Sequence, residues 1–399
     1  MRYSAQMQRN LTSSVLVAAF VVSFIASAPA QGPAGGRGQG AAGAPAVEGQ
    51  GQGRAGGRGG RGMTPSEIRS VPAETKAAKY ADPSWKAPRT PWGHPDLQGE
   101  FSSDDMRGVP MSRPPAQGDR ESLTPEEFLQ RARGDEANKF SSVNTETFLR
   151  NEYGIRTFGY SSLVIDPAAG RQPAVTPAER ARRAAQPERG TFSNVVLAGF
   201  DNFSLYDRCI SRGVPGSVTP VLYGNGVRFV QSPTEVVMTY EMIHESRVIH
   251  LGTPPQAPAH ASWTGFSVGR WDGDTLVVET TTFNERTATS QNLKLTEWFT
   301  RVDPDMVEYK YRVDDPGVYT APYTVRMMLT TQPNYYVMEY SCHEGNSAVE
   351  MGLKGERAYE RSVEEARAKG LPIPERMPRN MDVYSGRAAG PVREIGFDR

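Results

Sequence analysis

The chain contains few of the residues that build metal centres and disulfide frameworks. Its 399 residues include two cysteines and five histidines, and the histidines are scattered along the sequence. It also lacks a His-Glu-x-x-His motif, a Gly-x-Ser-x-Gly nucleophile elbow and a phosphate-binding glycine loop. The chain therefore lacks the common signatures of zinc proteases, α/β-hydrolases and nucleotide-binding enzymes. We therefore predict no metal site and no cofactor.

The chain also lacks an excess of charge of either sign. Lys and Arg number 45, Asp and Glu number 45, and the formal net charge is zero. Such a balance provides no overall field that would attract nucleic acid or a membrane surface. Beyond the N-terminus, no apolar run approaches the length of a transmembrane helix. The predicted partner is a small-molecule or glycan ligand, with no nucleic acid and no membrane span in the mature chain, and the oligomeric state stays open.

The N-terminus has the features of a secretory signal peptide. Arg2 and Arg9 make its start positive, residues 15–25 are almost wholly apolar, and a small-residue cleavage site ends at Ala30. The apolar run is short for a membrane span, although an uncleaved anchor is the alternative. We predict cleavage of residues 1–30 and a periplasmic or secreted protein.

Composition divides the rest of the chain into four parts. Residues 31–62 are rich in Gly, Ala, Gln and Arg, cannot bury enough apolar surface to order, and are predicted to form a disordered spacer. Residues 63–154 form a Pro-rich lead-in with a short helix, whose prolines and glycines argue against other regular structure. Residues 155–346 are predicted to form a β domain, and residues 347–399 a C-terminal helix and tail.

The β domain is predicted from short apolar-alternating runs joined by tight turns. Its strongest signal lies in residues 265–284, where Asp272-Gly273 separates two runs rich in β-branched and aromatic residues and indicates a hairpin. About nine or ten such strands without intervening helices favour antiparallel order. The fold class is therefore mainly β, an antiparallel barrel resembling a lipocalin or a sandwich, with a few peripheral helices and a long N-terminal extension.

The two cysteines, Cys209 and Cys342, are predicted to form one disulfide. An exported chain with a single pair favours a bridge, because disulfides persist in oxidising compartments. Two buried free thiols are the alternative.

Alternation along residues 293–299 places a carboxylate inside the β domain. Leu293, Leu295, Glu297 and Phe299 share one face of the strand, and three of the four are apolar. A buried carboxylate without a partner is costly. Glu297 therefore requires a partner or a function, and it is the first catalytic candidate.

Other polar residues are predicted to gather with Glu297 in one pocket. The further catalytic candidates are Glu241, His244 and His343, since Glu and neutral His serve in acid–base catalysis. The ligand-binding candidates are Arg247, Glu279, Tyr309, Tyr311 and Trp271. Taken singly, the charged and histidine residues among these are more readily explained by a salt bridge, a helix cap or a rim charge.

Several motifs resemble those of a known family. They are Thr-Pro-Trp-Gly-His-Pro-Asp-Leu-Gln-Gly at 90–99, Arg-Cys-Ile at 208–210, Glu-Met-Ile-His at 241–244, Gly-Arg-Trp-Asp-Gly-Asp-Thr-Leu-Val-Val-Glu-Thr at 269–280 and Cys-His-Glu-Gly-Asn at 342–346. Over residues 85–360 the chain resembles a large family of exported proteins that is common in soil bacteria such as Acidobacteria. The resemblance implies export and a β-rich domain, and it implies no mechanism.

Two classes of function follow from these patterns. The first is an exported enzyme, a hydrolase or lyase that uses Glu/His acid–base chemistry in a barrel pocket on a glycan or small organic substrate. The second is a non-catalytic, lipocalin-like binding protein for an apolar or aromatic ligand. An envelope scaffold without a small ligand is the third. Polar groups converging on one cleft indicate the enzyme, and an apolar cavity indicates the container.

Overall fold

A computed structural model gives the structure of the chain. It describes residues 84–139, 154–185, 196–221, 224–253, 255–257, 260–284, 290, 292–332, 335–376, 381–382 and 387–388. These residues all belong to one unit of the chain, residues 60–399. The predicted signal peptide 1–30, the spacer 31–62 and the last eleven residues lie outside the described residues.

The described residues form a closed nine-stranded β-barrel with one additional edge strand. The barrel order is β1-β3-β4-β5-β6-β7-β8-β9-β10, and β10 pairs back with β1, while β2 lies beside β10. The strands are β1 (Gly99–Ser102), β2 (Val164–Asp166), β3 (Gly226–Gln231), β4 (Glu235–Tyr240), β5 (Ser246–Leu251), β6 (Phe266–Asp272), β7 (Thr275–Thr281), β8 (Lys294–Asp303), β9 (Met306–Asp314) and β10 (Tyr323–Thr330), with β11 (Met381–Asp382) and β12 (Arg387–Ala388) as a separate pair. The predicted mainly-β barrel is confirmed.

One strand pair departs from the expected antiparallel order. β5 and β6 are parallel, with Ile249 opposite Ser267 and Leu251 opposite Gly269. The end of β5 and the start of β6 therefore lie at opposite rims of the barrel. As a result, the ends of β5 and β6 and the beginning of β4 meet at the same rim of the barrel.

The predicted hairpin is confirmed, but its turn is shifted by one residue. Asp272 pairs with Thr275, so Gly273 and Asp274 form the two-residue loop. Gly273 has a φ of +58°, which a side chain would disfavour. A glycine at the first loop position is typical of the type II′ turn that matches the twist of the strands.

The barrel takes its first strand from the lead-in, which was expected to have no strand. Gly99–Ser102 pairs with β3 along its whole length and with β10 at Ser102. Leu97 and Phe101 are buried in the core. Closing the barrel removes the open edges that the first and last strands would otherwise expose.

Inward and outward residues alternate along the long strands as the sequence predicts. On β8 and β9 the side chains of Leu295, Glu297, Phe299, Tyr309 and Tyr311 are buried, and those between them are partly exposed. The rings of Phe299 and Tyr309 stack with their centroids 4.6 Å apart, which fills the space between the two strands.

Three α-helices lie outside the barrel in the described part of the chain. They are α1 (Pro125–Lys139), α2 (Pro177–Ala185) and α3 (Ala348–Ala368), and four short 3₁₀ helices cover Asp104–Met106, Pro115–Gln117, Phe200–Asn202 and Met242–His244. Thr124 caps α1 in a capping box: its hydroxyl accepts from the Glu127 N–H at 3.3 Å, and the Glu127 carboxylate accepts from the Thr124 N–H at 2.8 Å. The helix predicted in the lead-in is therefore present, and it begins at Pro125. Among the described residues, no helix is both long and apolar enough to span a membrane.

The segment that follows β10 crosses the outside of the barrel and is held there by the disulfide. Cys209 and Cys342 are bonded, with their Cα atoms 5.6 Å apart, which confirms the predicted bridge. Although the predicted β domain extends to residue 346, residues 335–341 form no strand. Val337 instead donates its N–H to Glu100 at 2.9 Å. We call residues 335–346 the strap.

A buried acidic pair lies at the seam where β1 meets β10. Asp104 accepts from the Ser102 hydroxyl and from the Asn225 amide at 2.7 Å, and Asp105 accepts from Thr330 at 2.6 Å. Burial disfavours the charged form of Asp104 and raises its pKa to about 6, although hydrogen bonds from Ser102 and Asn225 oppose the rise.

We expect this carboxylate to make the free energy of unfolding fall with pH. Its pKa is about 6 in the folded protein against 3.8 for the ordinary group, so the folded state retains a proton that the unfolded state has lost. The contribution of Asp104 to the free energy of unfolding is therefore greatest below pH 3.8. About 3 kcal/mol of that contribution is lost as the pH rises to about 6. Urea unfolding at pH 4, 5, 6 and 7 measures this. Asp104→Asn should have a flatter profile, and equal slopes in both proteins would contradict the expectation.

Candidate functional site

Glu297, Arg247 and Tyr309, three of the predicted site residues, meet inside the barrel. Arg247 donates Nη1 to Glu297 Oε2 at 2.6 Å and Nη2 to Glu297 Oε1 at 3.1 Å. The Tyr309 hydroxyl donates to Oε1 at 2.8 Å, and the Thr280 hydroxyl to Oε2 at 3.3 Å. The side chains of Arg247 and Glu297 are 1% and 0% exposed. The inward carboxylate therefore has the partner that its burial requires.

The electrostatics of this cluster favour a permanent ion pair. Burial alone would disfavour the charged guanidinium, but the Glu297 carboxylate outweighs it, and the pKa of Arg247 is raised above its usual range. Burial, followed by the nearby Glu297 charge, raises the pKa of Tyr309 well above its ordinary value. Tyr309 therefore remains a neutral hydrogen-bond donor at physiological pH.

The space around the ion pair is filled by side chains. Tyr309 lies against Tyr311 with ring centroids 5.5 Å apart, and Phe299 lies 5.6 Å from Phe229. Burial raises the pKa of Tyr311 as well. Two cavities of about 840 and 210 Å³ are described in the structure, and Glu297 lines neither of them.

The remaining catalytic candidates lie beside the strap rather than with Glu297. Glu241 accepts from the Tyr335 hydroxyl and from the Gly226 N–H at 3.0 Å, and burial raises its pKa. His244 is exposed, and its Nδ1 lies 2.8 Å from the Tyr340 carbonyl oxygen. His343 lies in an exposed turn of the strap. The structure thus divides the four candidates between the core and the strap, and their catalytic roles stay predictions.

The larger cavity is an open cleft of about 840 Å³ at the barrel rim where β4 begins and β5 and β6 end. We call it the rim cleft. The residues that carry its chemistry are His94, Glu235, His250, Arg270 and Trp271, with Pro233 and Pro255 as apolar flanks. Of the predicted ligand-binding residues, Trp271 lines this cleft, whereas Glu279 is an exposed neighbour that reaches Arg270 at 3.9 Å.

One wall of the rim cleft is the loop before β1, which several hydrogen bonds hold in place. Thr90 donates its hydroxyl to the His94 carbonyl at 3.1 Å, and Gly93 between them has a φ of +89°. Gln231, at the end of β3, is buried and accepts the Leu97 N–H at 2.5 Å while its amide donates to the Pro95 carbonyl at 3.0 Å. The lead-in is thereby fixed against the barrel strand beside it.

This loop contacts the Asp-Gly hairpin, so two of the recognised sequence motifs share one site. The His94 ring lies 5.5 Å from the Trp271 ring, and Arg89 forms an ion pair with Asp274. His94 belongs to the motif at 90–99, and Trp271 and Asp274 belong to the motif at 269–280. The two motifs are separated by about 170 residues in the sequence, and barrel closure brings them together.

Ring nitrogens in and beside the aromatic wall have no hydrogen-bond partner among the described residues. They are the indole Nε1 of Trp271, the Nδ1 of His94 and the indole Nε1 of Trp92, which does not line the cleft. All three are shielded from solvent, so a ligand in the cleft meets the rings of Trp271 and His94 rather than these atoms.

The opposite side of the rim cleft carries a carboxylate–imidazole pair. Glu235 and His250 are cross-strand partners on β4 and β5, and Oε1 of Glu235 lies 3.4 Å from Nδ1 of His250. The His250 ring also lies 5.5 Å from the Phe266 ring. A carboxylate that hydrogen-bonds an imidazole orients it for binding or proton transfer, and this pair is close to that distance.

Sequence reasoning missed His94, Glu235, His250 and Arg270 as site residues. His94 carried a signal, since it lies in a recognised motif, but its partner ring is far away in the sequence. The Glu235–His250 pair requires the register between β4 and β5, which alternation alone does not supply.

Among the described residues, no group of three or more His, Cys, Asp or Glu side chains is placed to hold a metal ion. No protein-family model matches the chain, and no curated protein matches it either.

Proposed function

We propose that this protein binds a small molecule, and that the rim cleft is its binding site. The observation that carries the proposal is the Trp271–His94 wall, an aromatic surface beside an open volume of about 840 Å³. Binding sites combine such apolar planes with a few polar groups that orient the ligand. The wall suits a ring-shaped ligand such as a sugar.

A ligand site at the rim replaces the internal ligand cavity that a lipocalin-like barrel suggests. The interior around Glu297 is filled by the ring of Phe299, the ring of Tyr309 and the guanidinium of Arg247. Close packing of this kind leaves no room for a ligand without loss of core contacts. The ligand therefore binds at the rim, where polar groups from several strands converge.

A second candidate function is acid–base catalysis in the same cleft, as a hydrolase or lyase. It is favoured by the Glu235–His250 pair, since an imidazole oriented by a carboxylate serves as a general base. Under this alternative Glu235 and His250 take the roles predicted for Glu297, Glu241, His244 and His343. Product formation from a bound saccharide, lost in His250→Ala while binding persists, would distinguish the enzyme from the binding protein.

We also propose that the protein is exported and belongs to the family of exported bacterial proteins that it resembles. The disulfide between Cys209 and Cys342 is compatible with an oxidising compartment. N-terminal sequencing of the mature protein tests export, with Gln31 expected as the first residue.

The binding proposal is tested by tryptophan fluorescence and calorimetry with a panel of neutral saccharides, acidic saccharides and small aromatic acids. We expect at least one member to bind, and Trp271→Ala to weaken that binding about 30-fold, because the aromatic plane against which the ligand packs is lost. Trp298→Phe is the matched control, since Trp298 is a half-buried tryptophan on β8 outside the rim cleft.

Thermal melts of both variants confirm that they are folded at the assay temperature. Binding that is equally strong in Trp271→Ala would move the site away from the rim cleft. If no panel member binds to the folded protein, the proposal is wrong.

A further inference from the structure

The proposed function can be taken one step further, to the class of ligand. This inference rests on the proposed binding site in the rim cleft. We infer that the ligand carries a carboxylate, that Arg270 recognises this carboxylate, and that the ligand is an acidic saccharide such as a uronate. The inference is carried by the strand register around Arg270, by the exposure of its guanidinium, and by the state of the other charged groups in the cleft.

The strand register places Arg270 on the same face as the carboxylate–imidazole pair. Glu235 is opposite His250 in the β4–β5 pair, and His250 is opposite Val268 in the parallel β5–β6 pair. Arg270 lies two residues beyond Val268, so its side chain shares the outer face of β6 with that residue. The three charged or titratable side chains thus follow one another across the outer face at the rim.

The guanidinium of Arg270 is available to a ligand. Its ion pair with Glu279 joins Nη1 and Oε1 at 3.9 Å, and the two side chains are 64% and 68% exposed. An exposed pair at this distance is weak, because water screens it and both side chains lose freedom in forming it. A ligand carboxylate that accepts two parallel N–H bonds from the guanidinium makes the stronger and more specific contact.

Arg270 is the one Lys or Arg among the described residues that line the rim cleft. Glu235, the acidic side chain of the lining, lies on β4, where its Oε1 is 3.4 Å from Nδ1 of His250. Because β5 lies between β4 and β6, a ligand carboxylate that contacts Arg270 is kept apart from Glu235. The Arg270 end of the cleft therefore favours an anionic ligand over a cationic one.

The shape of the rim cleft fits the same ligand. Trp271 and His94 provide ring faces on one side, and Pro233 and Pro255 provide apolar surfaces elsewhere. Faces of this kind contact the C–H surface of a pyranose ring, while its hydroxyl groups and carboxylate reach the polar residues. A uronate supplies both the ring and the carboxylate.

The test compares a trigalacturonate with its methyl ester by calorimetry on the full mature protein. The ester keeps every ring and hydroxyl group and loses only the negative charges. We expect the acid to bind at least tenfold more tightly than the ester to the wild-type protein. Arg270→Gln should bring the ratio of the two affinities to about one, chiefly by weakening the binding of the acid.

Arg312→Gln is the matched control, because it removes one positive charge from another exposed ion pair of the barrel, with Asp166 at 3.3 Å. It should retain the preference for the acid. Equal binding of acid and ester, or a preference that survives in Arg270→Gln, would overturn the inference while ester binding keeps the rim-cleft proposal intact. If neither probe binds but a panel ligand binds through Trp271, the inference is overturned and the proposed function stands.

Discussion

Glu297→Gln should lower the free energy of unfolding by about 3–5 kcal/mol, because it leaves a buried positive charge without its counterion. In the wild-type protein the two carboxylate oxygens of Glu297 accept hydrogen bonds from both terminal nitrogens of Arg247 and from the Tyr309 hydroxyl. Glutamine keeps the shape, but its amide group presents donors to the donors of the guanidinium. Urea unfolding monitored by circular dichroism measures the change.

Two further variants separate the ion pair from the loss of a carboxylate as such. Glu308→Gln removes a carboxylate from β9, where Glu308 meets Lys310 at 3.2 Å on the outer face, and should change stability by less than about 1 kcal/mol. The double variant Arg247→Met/Glu297→Leu should recover most of the stability lost in Glu297→Gln, since apolar side chains can replace a buried pair. A fully stable Glu297→Gln protein that no longer binds ligand would instead assign this carboxylate to function.

The sequence predicts the barrel well because period-two alternation and tight turns are local properties. The same alternation identifies Glu297 as an inward residue, and its burial bears this out. It does not identify Arg247 as the partner, because the two residues are 50 positions apart and meet only across the closed barrel. The parallel pairing of β5 with β6 also escapes the pattern, since the crossover between them contains no strand signal.

The rim cleft was not predicted because no single segment contains it. Its walls come from the loop before β1 and from the ends of three strands more than 130 residues further along the chain. The short strand Gly99–Ser102 brings this loop to the rim. It begins at a glycine in a Pro-rich region, so its sequence gives little indication of a strand. Predicting the site therefore required the closure of the barrel, not only its strands.

In this barrel the packed interior contributes to stability, and the polar rim forms the proposed binding site. The interior pair of Arg247 and Glu297 is shielded from solvent and fully hydrogen-bonded through its carboxylate. The rim pair of Glu235 and His250 is partly exposed beside an open volume. Substitutions in the first pair should therefore change unfolding, and those in the second should change ligand binding.

Removal of the disulfide should have an equally large effect on stability. The bridge between Cys209 and Cys342 closes a loop of 133 residues, so the chain-entropy relation gives about 5 kcal/mol of stabilisation through the unfolded state. It also joins the strap to the loop around Cys209, where Asn346 donates to the Asp207 carbonyl at 2.9 Å. We expect the variant Cys209→Ala/Cys342→Ala to unfold at a correspondingly lower urea concentration.

The wild-type protein treated with reductant is the control for the double variant, since it breaks the bond without changing the side-chain volumes. Both proteins should lose similar stability, and both should retain the barrel by circular dichroism, because the strand pairing does not depend on the strap. Ligand binding at the rim cleft should also persist, since none of its lining residues belongs to the strap. A stability change below about 1 kcal/mol would contradict the chain-entropy relation for this loop and would indicate that the unfolded chain keeps the two segments close without the bond.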